Sequence, residues 1–553
     1  MNNTFGFFAT KNIRLCAVAL VVAIAVSMTG CPNDTTTTNG SGNENAGFVA
    51  VTGITGVPTT ATIGMPLPLA GTVAPPNATN RTIAWSVQNA GATGATIDGN
   101  TLTATTQGTA TIRATIPGGA SATTDFTQDF DVTVHNDDLP ALRAIWADYF
   151  PMGNIISSVD YSWRPARVAD IGNPEREALL IRHFNILTAE DEMKPSWLRP
   201  NPHVFNVGGA DRIMNFAQEH GFRVHGHVLA WHSQSPWWMN LSESTPSGWS
   251  YTSDIPAPLP RQEALANLEE HIEMVMRHFG TEMESWEVLN EIFPSGGIAT
   301  GVSAETWRAS LRNTPWNRAI PLDPATGNCF IWYAFTIARR VADELDTEAG
   351  RPVGTMLLYY NDYNEDNAGK RNAIYFMVRE MNERFARENN GRRLIDVIGM
   401  QAHYHLEGPG VGGAFGWGPI LPSDVRATIE RFASLGVYVS ITELDLTIGN
   451  TDTSPITPSQ ERRQAIVYAQ LFNIFRENAD VIRRVSIWGI DDPASWRARG
   501  SPLLWDGDLN PKEAFWAVAN PDAFIYPDGQ PRSNDEIDAF LRNPRDFIDA
   551  RYW

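Results

Sequence analysis

Cysteine is nearly missing from this chain of 553 residues, which holds three: Cys16, Cys31 and Cys329. Lysine is absent between residues 47 and 136, where Arg81 and Arg113 are the cations present, and no Lys/Arg-rich run occurs anywhere. With 42 Lys+Arg against 62 Asp+Glu the formal net charge is −20. Such an acidic chain without a basic patch does not suit a polyanion, so nucleic acid is not an expected partner. The apolar run Leu15 to Val26 is about a dozen residues, short of the ~20 that span hydrocarbon. Tryptophan is scarce at one end, since Trp85 alone precedes residue 140 while 18 occur in all. That asymmetry implies two differently composed domains, and aromatics at 10% with charged residues at 19% imply that most of the chain folds.

What is present begins with Lys11 and Arg14, the apolar run, and then Ser27-Met28-Thr29-Gly30-Cys31. This is the pattern of a cleaved export signal over 1–30. It resembles a bacterial lipoprotein signal, with Met28 where that family usually has Leu. The resemblance implies that Cys31 is lipidated and that the protein is exported and anchored by lipid to the bacterial membrane or cell surface. Cys16 would leave with the signal, so no intrachain disulfide is expected. Residues 31–46, rich in Thr, Asn and Gly, suit a flexible tether.

From 47 to 137, short Thr/Val/Ile/Ala runs broken by Gly, Pro and Asn at roughly ten-residue spacing predict an all-β sandwich. Stretches such as GNTLTATTQGTATIRATI and DFTQDFDVTV resemble a bacterial Ig-like domain of the group 2 type. Trp85 is read as core packing, and the domain as a spacer, with adhesion as the functional alternative.

After Pro140 the pattern alternates apolar runs with amphipathic helical stretches. Candidate strands are 150–155, 183–187, 222–231, 285–290, 355–360, 397–402, 437–442 and 485–488. Helical patterns cover 210–220, 261–279, 331–345, 371–388, 424–434 and 459–476. Eight such units predict an α/β (β/α)8 TIM barrel over 138–520, whose site forms at the C-terminal strand ends. The extension 521–553 is expected to carry one amphipathic helix over 533–552.

Those strand ends bear Glu190, Asp191, Lys194, His227, Trp231, His232, Gln234, Asn290, Glu291, Asn361, Asn364, Gln401, His403, Glu443, Asp445 and Trp488. Two carboxylates on opposing strands amid aromatics suit glycoside hydrolysis, which needs one protonated acid and one ionised carboxylate. The segments FNILTAEDEMKP, HGHVLAWHSQSPWW, WEVLNE, YYNDYN, IGMQAHYH, VSITELDL and WGIDDPASW resemble, in order, glycoside hydrolase family 10, the endo-β-1,4-xylanases.

The resemblance implies a retaining hydrolase of internal xylan bonds, acting on xylan or xylo-oligosaccharides as a monomer, with no cofactor and no metal. It makes Glu291 the general acid/base and Glu443 the nucleophile, with His403 hydrogen-bonded to Glu443, Asp445 orienting His403, and Asn290 on the sugar 2-hydroxyl. Glu443 would raise the pKa of Glu291. Glu190, Asp191, Lys194, His227, Trp231, Gln234, Trp488 and Trp496 fall on the non-reducing side, Tyr363 and Asn364 on the leaving-group side, and Gln401 among the sugar-binding positions.

Three departures stand out. Asp191 replaces the usual Asn, exchanging an amide donor for an acceptor. Glu287 replaces the usual Asp, and segments 239–260 and 293–328 are longer than usual. Other readings compete: β-1,4-glucan or mixed-substrate cleavage, a non-catalytic surface glycan-binding or adhesion lipoprotein, and a metal-dependent barrel hydrolase using His225 and His227, with His403 and His405 available.

Overall fold

The computed structural model describes residues 48–63, 67–135, 139–161, 167–244, 256–406, 419–449 and 456–553. The export signal, Cys31 and the tether lie outside the described residues, as do 245–255 of the longer segment 239–260. The chain divides into two compact units, Met1–Val49 and Ala50–Trp553.

The N-terminal region is all-β, as its alternation requires. Thr60–Thr62, Thr124–His135, Gly108–Ser121 and Ala84–Asn89 form a sheet in that spatial order, beside smaller sheets. Along Gly108–Ser121 the side chains of Ala110, Ile112, Ala114 and Ile116 are fully buried while Thr111, Arg113 and Thr115 between them are not. That is the period of two of a strand with one covered face. Trp85 is half-buried and packs on Phe130 at 6.4 Å between ring centroids, as core packing predicts, but from an edge strand.

The C-terminal region is a closed barrel. Its strands are β1 (Met152–Ile156), β2 (Ile186–Ala189), β3 (Arg223–Gly226), β4 (Met283–Asn290), β5 (Leu357–Asp362), β6 (Val397–Met400), β7 (Tyr438–Thr447) and β8 (Ile482–Ile487). All pair in parallel, each with its neighbour in sequence, and β8 returns to β1. Helices such as Arg261–Phe279, Phe330–Glu348, Ala368–Glu388 and Pro458–Glu477 connect them. Because helices cover the outside and side chains fill the inside, strands such as β7 are buried at nearly every position, which is why they read as unbroken apolar runs.

Three local expectations need correction. The run 222–231 is not one strand: β3 stops at Gly226, and Ala230–Trp231 forms a separate short pairing with β4. Gly226 passes so close to the Trp286 indole that a Cβ would meet Cε3 at 2.1 Å. His183 does not open a strand but ends a helix, Pro174–His183, which starts from the Asn173 cap and Pro174 in its first turn; strand β2 begins three residues later. The tail holds a helix only over Asn534–Arg542, capped by Ser533 and Glu536, because Pro544 cannot continue it. The chain end is tied back by Ala141 N donating to Tyr552 O at 2.7 Å and by Trp553 against Trp516.

Candidate active site

The C-terminal ends of β2 to β8 and the loops beyond them line a cleft of about 710 Å³. Lining it are Glu190, Asp191, Lys194, His227, Trp231, Gln234, Asn290, Glu291, Tyr363, Gln401, His403, Glu443, Trp488 and Trp496. Two expected residues stand behind it. Asp445 is fully buried beneath His403, and Asn364 turns its Nδ2 to the Ser295 carbonyl at 3.1 Å. Ser233, Ser295 and Arg312 also line it without being expected there, together with His232, which stands among the strand-end residues but has no expected role.

Glu443 lies within β7, where side chains from β5 and from the segment that follows β6 reach its carboxylate. Asn361 Nδ2 donates to Oε1 at 2.7 Å, and His403 Nε2 lies 3.2 Å from Oε2. Asn361 is itself aimed by Thr442 Oγ1, which donates to its Oδ1 at 2.7 Å. Gly399 makes room for this arrangement, since a Cβ there would fall 2.3 Å from Asn361 Oδ1. Gly399→Ala is therefore expected to displace the amide and lower kcat about tenfold or more with KM little changed, because the interaction lost acts at the reacting centre. Steady-state kinetics on a folded variant checks this, and an unchanged kcat would show that Asn361 does not need that position.

On its other side His403 Nδ1 lies 3.0 Å from Asp445 Oδ1. Burial disfavours the imidazolium, but the charge of Asp445 and the bonds to both carboxylates outweigh it and bring His403 up to about 9. Asp445 is held low, burial notwithstanding, by Arg497 and His403, and Trp496 Nε1 donates to its Oδ2 at 3.0 Å. Burial also pushes Glu443 upward; the His403 bond and the charges of His227, His403 and Lys194 prevail, leaving it below the usual carboxylate range.

Glu291 directly follows β4 with φ of 55°, an unfavourable value for a residue with a Cβ. The conformation is fixed from both sides: Glu291 N donates to Asn361 O at 3.0 Å, and Arg312 Nε donates to Glu291 O at 3.2 Å. Gln401 Nε2 bridges Asn290 Oδ1 at 2.9 Å and Glu291 Oε1 at 3.1 Å. The Glu291 pKa is raised, as the resemblance implies. The dominant cause is burial, then the charge of Asp362; the charge of Glu443 is a smaller contribution, and Gln401 and Arg312 oppose the rise. His232 Nε2 stands 3.8 Å from Glu291 Oε2, and burial holds that imidazole well below its ordinary value.

Around these carboxylates the wall is aromatic and charged. Trp488 is nearly buried, its ring 5.6 Å from that of His227, whereas Trp496 is 38% exposed at the cleft rim. Asp191 accepts from Lys194 Nζ at 2.7 Å, and Glu190 from Arg167 Nε at 2.6 Å. Tyr363 OH accepts from Arg312 Nη2 at 2.8 Å. Arg312 comes from the longer segment 293–328, and no motif marks it in the sequence.

The imidazoles of the metal-hydrolase reading are not gathered at one point. His225 Nδ1 meets Ser285 Oγ at 2.8 Å, His405 is held by Thr447 and Arg497, and His403 is engaged by two carboxylates. Among the described residues one donor group lies within 4.8 Å, formed by His227, Glu287 and Glu443. The longer Glu287 side chain bonds His227 Nδ1 at 3.1 Å.

Comparison with known proteins agrees with this geometry. The glycosyl hydrolase family 10 model matches residues 142–521. The exoglucanase XynX of Acetivibrio thermocellus is 32% identical over 403 residues, 71% of this chain. The endo-1,4-beta-xylanase of Geobacillus stearothermophilus is 32% identical over 396 residues, 69% of this chain and 98% of that relative. A crystal structure of a bacterial Ig-like domain containing xylanase of the same family, from termite gut, shares 28% identity and a TM-score of 0.55, covering 84% of this chain and 98% of that one. This chain spans about 30% of the length of XynX and of another of its curated relatives. With the family match covering the whole barrel and both carboxylates at its strand ends, the chain belongs to glycosyl hydrolase family 10.

Proposed function

We propose that the protein is an endo-1,4-β-xylanase that hydrolyses internal xylosidic bonds with retention. The observation that carries this reading is the pair of carboxylates on opposing strands, Glu443 buried and Glu291 half-buried at the cleft, whose surroundings separate their pKa values, Glu443 downward and Glu291 upward. Glu443 attacks the anomeric carbon while Glu291 passes its proton to the departing glycosidic oxygen, giving a glycosyl ester. The charge of Glu443 is then lost. Glu291 takes a proton from water, whose oxygen displaces the ester. Asn290 binds the 2-hydroxyl, the His403 imidazolium steadies Glu443, and Asp445 with Arg497 keeps His403 charged and oriented.

The xylan assignment draws support from the Geobacillus relative's name and from Trp488. By the family resemblance its indole would close over the catalytic sugar and meet the hydroxymethyl group of a glucose, where xylose has only hydrogen. The Acetivibrio relative, named an exoglucanase, favours β-1,4-glucan as the second reading. Product analysis after incubation with xylan and with carboxymethyl-cellulose separates the two: xylo-oligosaccharides from the first and little release from the second are expected.

The ion pair of Asp191 with Lys194 changes what the Asn-to-Asp departure implies. Both side chains are buried, so Asp191→Asn strands the Lys194 charge and is expected to cost about 3 kcal/mol of stability. Denaturant unfolding reads this directly, and an unchanged midpoint would mean that Lys194 takes another partner.

We read residues 1–30 as a lipoprotein signal, 31–46 as a tether, 47–137 as an Ig-like spacer, 138–520 as the catalytic domain and 521–553 as an extension, in a monomer lipid-anchored outside the cytoplasm. Among the described residues no helix is long and apolar enough to cross a membrane. The anchor would rest on Cys31, since one acyl chain holds only marginally and a modified terminal cysteine carries more. Cys31→Ser is expected to shift the enzyme from membrane to soluble fractions or leave it unprocessed; unchanged membrane association of a processed protein would refute lipidation.

A further inference from the structure

We propose that Arg167 is a positioning residue for the glycone wall of the cleft, acting through Glu190 and tying that wall to the loop that carries Trp496. The inference rests on the reading of Glu190 as a sugar-binding carboxylate. Arg167 is 4% exposed and is not among the residues lining the cleft, whereas Glu190 is. Its guanidinium points three ways at once. Nε donates to Glu190 Oε2 at 2.6 Å, while Nη1 and Nη2 form a fork onto Asp170 at 2.9 and 2.8 Å.

The charges continue beyond this contact. Asp170 also accepts from Ser157 N at 2.8 Å and lies 3.7 Å from Arg176, which grips Asp491 at 2.6 Å; Asp491 in turn accepts from Ala494 N at 2.9 Å. Glu190, Arg167, Asp170, Arg176 and Asp491 thus alternate in sign along one buried line. It joins the loops after β1, β2 and β8, the last reaching Trp496 two residues beyond Ala494.

A buried carboxylate that binds sugar hydroxyls needs a counterion and a fixed direction, and Arg167 supplies both. Lysine would keep the charge but could not hold Glu190 and fork onto Asp170 together. The effect must therefore depend on whether the substrate reaches the glycone wall. An aryl β-xylobioside places a sugar there; an aryl β-xyloside fills the catalytic position alone.

The test is kcat/KM on both glycosides for wild type, Arg167→Met, Arg167→Lys, Glu190→Gln and the Met/Gln double variant. Arg167→Met is expected to lower the xylobioside-to-xyloside ratio about tenfold to a hundredfold, and Arg167→Lys by less. In the Glu190→Gln background, Arg167→Met should add less than about threefold, because the two act as one unit. Equal losses on both substrates, or losses that multiply independently with Glu190→Gln, would overturn the proposal. Should the Met variant fail to fold, the Lys variant makes the same comparison. A wild type inactive on both glycosides would overturn the proposed function and this inference together; an active wild type with equal losses overturns this inference alone.

Discussion

Glu443→Gln is expected to lower kcat on xylan by about 10⁴-fold or more, because an amide cannot become the glycosyl ester and the two-step route closes. The substitution is nearly isosteric, and the amide can keep contact with Asn361, so folding should survive. What disappears is the negative charge that His403 faces. His403 is raised to about 9 by Asp445 and Glu443 together, so its pKa should fall in the variant. Its raised value contributes stability that is fully present below its ordinary 6.5 and lost as pH rises through about 9, and the variant should show less of that alkaline loss. Reducing-sugar release on a variant of native circular dichroism reads the first effect. Residual activity within about a hundredfold of wild type would sink the assignment of Glu443.

The second large effect is at Glu291. Glu291→Gln should lower kcat on xylan by about 10²- to 10⁴-fold, the worth of a positioned proton donor. An activated aryl xylobioside needs little proton donation to leave, so its first step should be nearly spared. Hydrolysis of the ester should then become slow, and a burst of aryl alcohol should precede a low steady rate. The pH profile supplies an independent check. In the wild type kcat/KM should rise as Glu443 ionises, below the usual carboxylate range, and fall as Glu291 ionises, above it. The variant should lose the alkaline limb while keeping the acid one. A profile with both limbs intact would assign the proton to another group.

Why these residues were legible, and others were not, follows from how each is held. Glu291 and Glu443 stand at the ends of apolar runs, so a parallel barrel brings them to one mouth whatever the loops do. Asp445 follows Glu443 by two and lies on the same side of β7, under His403. The arginines had no such signal. Arg497 reaches Asp445 across 52 residues, Arg312 reaches Tyr363 across 51, and Arg167 reaches Glu190 across 23. Each comes from an irregular loop, where no period or cap indicates which way a side chain turns.

The same reasoning explains the errors in the fold. The helix beginning at Pro174 spans ten residues, about half the length of Ala368–Glu388 or Pro458–Glu477, so few turns carry its apolar period and its clearest signal is the Asn173 cap followed by Pro174. Segment 222–231 is apolar enough to read as one strand, and the close approach of Gly226 to Trp286 that accompanies the break is a tertiary contact. The raised Glu291 pKa likewise owes more to its surroundings than to the carboxylate facing it. Sequence placed Glu443 opposite it, but burial and Asp362, fixed by Lys370 at 2.7 Å, act more strongly.

The central claim is a double displacement in which Glu443 forms a covalent ester and Glu291 serves first as acid and then as base. Proton NMR of the first product released from a xylo-oligosaccharide, recorded before mutarotation, tests it most directly. Retention through two inversions predicts that the new reducing end appears as the β-anomer and drifts toward the equilibrium mixture. An α-anomer appearing first would mean that water attacks directly, and would contradict the roles assigned to both carboxylates.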